Sequence, residues 1–260
     1  MKKEDFCYIW RGRQLASLKD SDTKLLQPIN IRSDKTEKAL LMLHGFSSSP
    51  AVYRTLVPQI KAYDAIVCPV LPGHGESIAC FSKTQASEWV EKAVLSCEAL
   101  TAKYERVDVL GLSLGGLLAL TVAQLIPVHH LYLLAPAVRL KLNSPLMLGL
   151  ANVLYVLGFQ DIRNAAGNLL SAQHAEVSYK KLPLRVIIEI LQLIQGYQWI
   201  PPTCGVDLFL GAQDLVVDSE AVAALFQDLP NTSIHWLKDS AHVLPLDNDC
   251  AEILACLNQG

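Results

Sequence analysis

Charge is scarce in this chain: 18% of its 260 residues are Asp, Glu, Lys or Arg, against 51% that are apolar. That balance excludes a largely disordered protein and supplies enough apolar surface for a sizeable core. A basic excess is also missing. The net charge of -3 argues against nucleic acid and anionic membranes as partners. No apolar run reaches the roughly 20 residues that cross a bilayer, so no transmembrane segment is expected; the longest run, Leu146 to Phe159, falls short. Linkers and low-complexity stretches are absent, which favours one domain over two. The stretch Met1-Lys2-Lys3-Glu4-Asp5 leads into neither an apolar h-region nor a small-residue cleavage site, so no secretory signal is read. The seven cysteines, Cys7, Cys68, Cys80, Cys97, Cys204, Cys250 and Cys256, are odd in number and lack C-x-x-C or Cys/His spacing. They read as reduced core residues of a cytoplasmic protein with no metal site.

What is present is organised around Val107-Asp108-Val109-Leu110-Gly111-Leu112-Ser113-Leu114-Gly115-Gly116. A strand-forming run ends at a serine held between two glycines, the G-x-S-x-G pattern of a nucleophile elbow. The serine must occupy a strained turn between strand and helix, and a side chain at Gly111 or Gly115 would collide with that tight backbone. The apolar run Leu117 to Ile126, closed by Pro127, suits a helix packed on a sheet.

Upstream, short candidate strands lie at Phe6 to Trp10 and Pro28 to Ile31, and Lys38 to His44 has the continuous apolar character of a strand buried on both faces. It runs into His44-Gly45-Phe46-Ser47-Ser48-Ser49-Pro50. In an acyl-transfer enzyme of this layout that loop supplies one backbone N–H to an oxyanion hole and the residue after the nucleophile supplies the other. The donors here would be Phe46 and Leu114. Ser49-Pro50 also suits a helix start, and the two readings are compatible. Asp64 to Leu71 is a further strand, followed by Pro72-Gly73-His74-Gly75, where His74 is expected to anchor a turn. Gln85 to Tyr104 has helical periodicity, and His129 to Ala135 reads as another buried strand. Strands alternating with helical stretches argue for βαβ units and a mostly parallel sheet.

The alternation stops between about Val138 and Pro202. Two apolar, helix-like stretches there, Leu146 to Phe159 and Leu184 to Tyr197, read as a helical cap over the end of the sheet that bears the elbow. The expected division is therefore a core of residues 1–140 and 201–260 with a cap of residues 141–200. The first stretch is apolar on nearly every side, so it should line a pocket, pack on the core or touch lipid. Leu146, Leu150 and Leu154 are the candidate substrate-binding residues.

Val206 to Leu210 is a late strand that ends near Asp214, from where an acid can reach across the sheet to a histidine. Asp218 reads instead as the cap of a helix over Ser219 to Leu229, and Asp207 sits at the wrong end of the strand. After the last strand, Thr232 to Leu237, His242 falls in a loop and is the candidate general base; His235 lies inside the strand. Ser113, Asp214 and His242 thus stand in the chain order serine, acid, histidine, unlike the chymotrypsin and subtilisin orders.

The motifs HGFSSSP, LPGHGES, GLSLGG, GAQDLVV and SAHVLPLD together resemble the α/β-hydrolase superfamily, and within it small bacterial carboxylesterases and monoacylglycerol lipases. The resemblance runs from about Ala39 to the C-terminus and is loose between residues 141 and 200. It implies an α/β fold with an eight-stranded, mostly parallel central sheet flanked by helices, a small helical cap, a Ser-Asp-His triad and no cofactor. The apolar composition of Leu146 to Phe159 and the lack of an arginine cluster point to a small-molecule ester substrate with an apolar acyl chain of small to medium length, or a monoacylglycerol. An aspartate in place of Ser113 would be needed for haloalkane dehalogenation. Thioesterases and carbon–carbon bond hydrolases use the same triad, and the sequence does not separate them from esterases. A binding module that keeps only the fold would be expected to have lost a triad member, and none is lost.

Overall fold

The computed structural model describes residues 2–259; Met1, at the head of the basic and acidic N-terminal stretch, and Gly260 lie outside the described residues. The chain opens with a hairpin of β1 (Phe6–Trp10) and β2 (Arg13–Ser17) and then enters the main sheet through β3 (Ile29–Arg32). Next come β4 (Lys38–Leu43), β5 (Ala65–Cys68), the single turn α1 (Ile78–Phe81), α2 (Ala86–Thr101), β6 (Arg106–Leu112), α3 (Leu114–Leu125) and β7 (His130–Leu134). Residues 141–200 hold α4 (Ser144–Val156), the short strands β8 (Asp161–Arg163), β9 (Glu176–Tyr179) and β10 (Lys181–Pro183), and α5 (Leu184–Gly196). The sheet is completed by β11 (Gly205–Gly211), α6 (Ser219–Phe226) and β12 (Thr232–Leu237), and α7 (Cys250–Gln259) closes the chain.

The main sheet has seven strands in the order β12-β11-β7-β6-β4-β5-β3, all parallel except β3, which runs antiparallel to β5 at the edge. β4 and β6, near the middle, are buried on both faces for most of their length, which is why they read as unbroken apolar runs rather than alternating ones. The implied eighth strand does not join. β1 instead pairs antiparallel with β2 and with β9, making a separate three-stranded sheet. Burial on either side of the main sheet is split by the two-residue alternation of each strand: Leu41, Val109, Leu133 and Leu208 face one core, while Leu40, Leu110, Tyr132 and Phe209 face another.

Several local signals act as their chemistry requires. Glu88 closes a capping box at the start of α2, and the Asp218 carboxylate accepts the Ala221 N–H to start α6. Ser49 and Pro50 begin only a short 3-10 turn, Pro50–Tyr53. The region of residues 141–200 is mixed rather than helical, because the stretch after residue 160 finds strand partners, β9 on the distant β1 and β10 on the nearby β8. The cysteines are less uniformly interior than their apolar neighbours suggest. Cys7, Cys68 and Cys97 are buried, Cys204, Cys250 and Cys256 are half-buried, and Cys80 is exposed.

Candidate active site

Ser113 sits where β6 turns into α3, with φ 55° and ψ -112°, a backbone conformation unfavourable for any residue with a Cβ. The turn is held by its neighbours. Ser113 N–H donates to the Leu134 carbonyl (2.9 Å), and the Ser113 carbonyl accepts from Gly116, Leu117 and Ala137. The flanking glycines are sterically required: a Cβ on Gly111 would overlap the Gly115 carbonyl, and one on Gly115 would overlap the Leu43 carbonyl. Among the described residues the N–H of Leu114, first residue of α3, has no backbone acceptor, and the N–H of Phe46 is also unspent.

The loop that carries Phe46 is fixed by two buried histidines. His74 Nδ1 donates to the Pro72 carbonyl (3.2 Å), so its Nε2 is free to accept the Ser47 N–H (3.1 Å). His44 repeats the arrangement, donating from Nδ1 to the Gly45 carbonyl and accepting the Leu71 N–H at Nε2 (3.1 Å). Burial holds both rings neutral. It lowers His44 to about 4 and His74 well below the ordinary imidazole value. His74 is therefore the turn anchor that its position suggests.

Asp214, in the loop after β11, accepts N–H bonds from Val216 (2.7 Å) and Val217 (2.9 Å) through one oxygen and takes His242 Nδ1 at 2.7 Å with the other. Its side chain is 0% exposed and that of His242 12%. Burial alone would raise the Asp214 carboxyl, but the His242 imidazole and the two N–H donors outweigh it and hold the group below its usual range. Burial likewise works to lower His242, and the charge and hydrogen bond of Asp214, helped by Glu176, reverse this and raise it. With Nδ1 committed to the carboxylate, Nε2 is the nitrogen left for chemistry.

His242 and Ser113 lie on the wall of one cavity of about 340 Å³, together with Phe46. Among the described residues no hydrogen bond joins Ser113 Oγ to His242, although both line the same chamber. The rest of the wall comes largely from residues 141–200 and the acid loop, with Ile162, Leu182 and Val216 apolar, and Arg163, Asn164 and Glu176 polar. Leu146, Leu150 and Leu154 are not on it. Leu146 is 72% exposed and Leu150 54%, because α4 packs along α5 at one edge and turns most of its apolar surface outward. A helix that is apolar all round shows no preferred face, and the sequence offered no way to see which side was covered.

Three residues that sequence reasoning passed over help to build the site. Asn168 accepts the N–H of both His242 (2.9 Å) and Val243 through its carbonyl, while its side chain accepts the Leu215 N–H. Asp247 accepts from Leu170, Ser171 and Ala241, pinning the His242 loop. Glu176 is buried on the cavity wall, accepts the Gly167 N–H (2.9 Å), and is raised by burial despite that bond and despite His242 and Arg54. Asp247 lies inside the SAHVLPLD motif and was open to suspicion. Asn168 and Glu176 sit in the loosely similar stretch and had no sequence signal.

Comparison with known proteins places the chain among relatives. The sequence model described as "Alpha/beta hydrolase family" matches residues 40–255. A thermostable monoacylglycerol lipase of Bacillus sp. (strain H-257) is 26% identical over 220 residues, covering 81% of this chain and 84% of that protein. A carboxylesterase of Bacillus subtilis (strain 168) is 22% identical over 223 residues, covering 82% and 87%. Among solved structures, one described with LipS and LipT, two metagenome-derived lipolytic enzymes, superposes with a TM-score of 0.80 at 21% identity, covering 90% of this chain and 98% of that one. The monoacylglycerol lipase of Paleococcus ferrophilus superposes with a TM-score of 0.69 at 18% identity and the same coverage.

Proposed function

The chain belongs to the alpha/beta hydrolase family, and from that premise we propose that it is a serine hydrolase that cleaves carboxylic esters of small to medium acyl chains through an acyl-enzyme. One observation carries the reading: the Asp214–His242 pair opens onto the same cavity as a serine held at positive φ. His242 Nε2 takes the proton of Ser113 as Oγ attacks the ester carbonyl, and Asp214 holds the imidazole in the required tautomer and stabilises the imidazolium. The developing oxyanion is received by the N–H groups of Phe46 and Leu114, each of which is worth about 3 kcal/mol in comparable enzymes. His242 then returns the proton to the departing alcohol. Water, activated by the same imidazole, releases the acid.

Residues 141–200 act as a cap in this reading, and it is β8, β10 and the loops between them, rather than α4, that meet the acyl chain. A cavity of about 340 Å³ lies near the small end of ligand sites, and its apolar residues suit an acyl group. This agrees with the activities in the names of the Bacillus relatives. A fluorophosphonate probe should label the protein at Ser113 and leave Ser113→Ala unlabelled; equal labelling of both would reject the assignment. A series of p-nitrophenyl esters should peak at short to medium chains, and a preference for long chains would reject the proposed cavity as the acyl site.

A further inference from the structure

The sheet carries a second group of chemically capable side chains near the opposite ends of its strands. His130 opens β7, Asp207 is the third residue of β11, His235 lies within β12, and Cys256 is on α7. Two-residue alternation brings the first three to one face, since Asp207 pairs across to Tyr132 and Ser233, each two positions from a histidine of the group. Asp207 bridges the two rings, with His235 Nε2 at 2.6 Å from one oxygen and His130 Nε2 at 2.8 Å from the other. Cys256 approaches from the helix layer, and its sulfur, a carboxylate oxygen of Asp207 and a ring nitrogen of His235 lie within 4.8 Å of one another. His235 is stacked flat on Phe209, with ring centroids 4.5 Å apart at 14°, which fixes the plane in which its nitrogen points.

We propose that Asp207, His235 and Cys256 form a binding site for a divalent transition metal of the zinc class, with His130, which lies outside that group of three but hydrogen-bonds the other Asp207 oxygen, moving in as the fourth donor. The donor set is the argument. One thiolate, imidazole nitrogens and a carboxylate oxygen match a borderline-soft tetrahedral ion, whereas magnesium and calcium require oxygen ligands throughout. Bond lengths of about 2.0–2.3 Å to such an ion put neighbouring ligand atoms roughly 3.3–3.8 Å apart. The trio lies inside a slightly larger envelope: the Asp207–His235 contact must open by roughly 1 Å and the Cys256 sulfur must close by up to about as much. Partial exposure of all three residues leaves a route for entry. A carboxylate can only accept, so each Nε2 now carries a proton. On binding, each ring carries its proton on Nδ1 instead, so that the Nε2 lone pair meets the metal, and the Cys256 thiol proton passes to solvent. The ion would tie β7, β11, β12 and α7 together, at a distance from Ser113.

The test uses the whole chain, stripped with a chelator and titrated with Co²⁺. The expected result is one equivalent bound, with the strong visible absorption of tetrahedral cobalt and a thiolate-to-cobalt charge-transfer band in the near ultraviolet, both removed by Zn²⁺. Cys256→Ser should lose the charge-transfer band, and His235→Ala should weaken binding about tenfold or more. Zn²⁺ should raise the Tm of the parent protein and leave that of Cys256→Ser unmoved. Metal-free Tm and circular dichroism show that each variant is folded. A pale octahedral spectrum, several weak equivalents, or a parent-like spectrum in folded Cys256→Ser would overturn the site. Ester hydrolysis by the metal-free protein is expected to be unchanged, so this proposal and the hydrolase reading fail independently.

Discussion

Two aspartate–histidine pairs link the region of β11 to that of β12, and on paper they are near twins. Asp214 meets His242 at 2.7 Å and Asp207 meets His235 at 2.6 Å, each pair separated by 28 residues. The shared spacing follows from one parallel crossover through α6, which brings residues a fixed number apart to the same level of the sheet. What surrounds each pair differs. Asp214 and His242 have side chains 0% and 12% exposed, beyond the C-terminal ends of the strands; Asp207 and His235 are 19% and 26% exposed, inside the strands. The first pair faces a cavity that holds a strained serine and lies by a loop with an unspent N–H. The second pair faces another imidazole and a thiol. An acid–imidazole hydrogen bond is thus a component whose use depends on its end of the sheet, and in a parallel sheet the C-terminal end is where loops converge.

The comparison can be broken by removing parts of one pair and then of the other. Ser113→Ala should reduce kcat roughly a millionfold, measured on p-nitrophenyl butyrate, with the Asp214–His242 contact intact. Asp214→Asn should cost on the order of ten-thousandfold, because the imidazole loses the partner that selects its tautomer. Next in size is a pH effect. As the proposed base, His242 must be neutral to accept the serine proton, and its pKa is raised, so kcat/KM should fall as pH drops through a midpoint above 6.5, the ordinary imidazole value. Glu176 contributes to that rise, and Glu176→Gln should therefore move the acid limb to lower pH. A midpoint that stays put would remove Glu176 from the account. The smallest effect is expected from Asp207→Asn, which should leave kcat/KM within about a factor of two while lowering Tm, because one of the two histidine N–H donors loses its acceptor. A large kinetic loss there would erase the distinction between the pairs.

Much of this was legible before the structure. β4, β6 and β7 fall where continuous apolar runs place strands, because strands covered on both faces leave little to interpret. Ser113, Asp214 and His242 were singled out because each is tied to a strand end, and chain order constrains them together. Two kinds of information were out of reach. The pairing of β9 with β1 joins segments about 170 residues apart, and neither carries a signal for the other. The outward face of α4 is a matter of what packs nearby, so Leu146, Leu150 and Leu154 were chosen from composition alone and the cavity wall lies elsewhere. The same limit hides the group around Asp207. His130, Asp207, His235 and Cys256 have no recognisable spacing and meet only through the sheet.

The β1–β9 pairing has a mechanical consequence. Ser178, opposite Cys7 in that pairing, donates its hydroxyl to the Ser47 carbonyl at 2.8 Å, next door to Phe46. The β1 segment is therefore a drawstring on the chamber: loosening β1 slackens β9, and the slack reaches the loop that would grip the oxyanion. Amide exchange at Val177 and Ser47 should accelerate together when Phe6 and Ile9, both buried, are replaced by alanine.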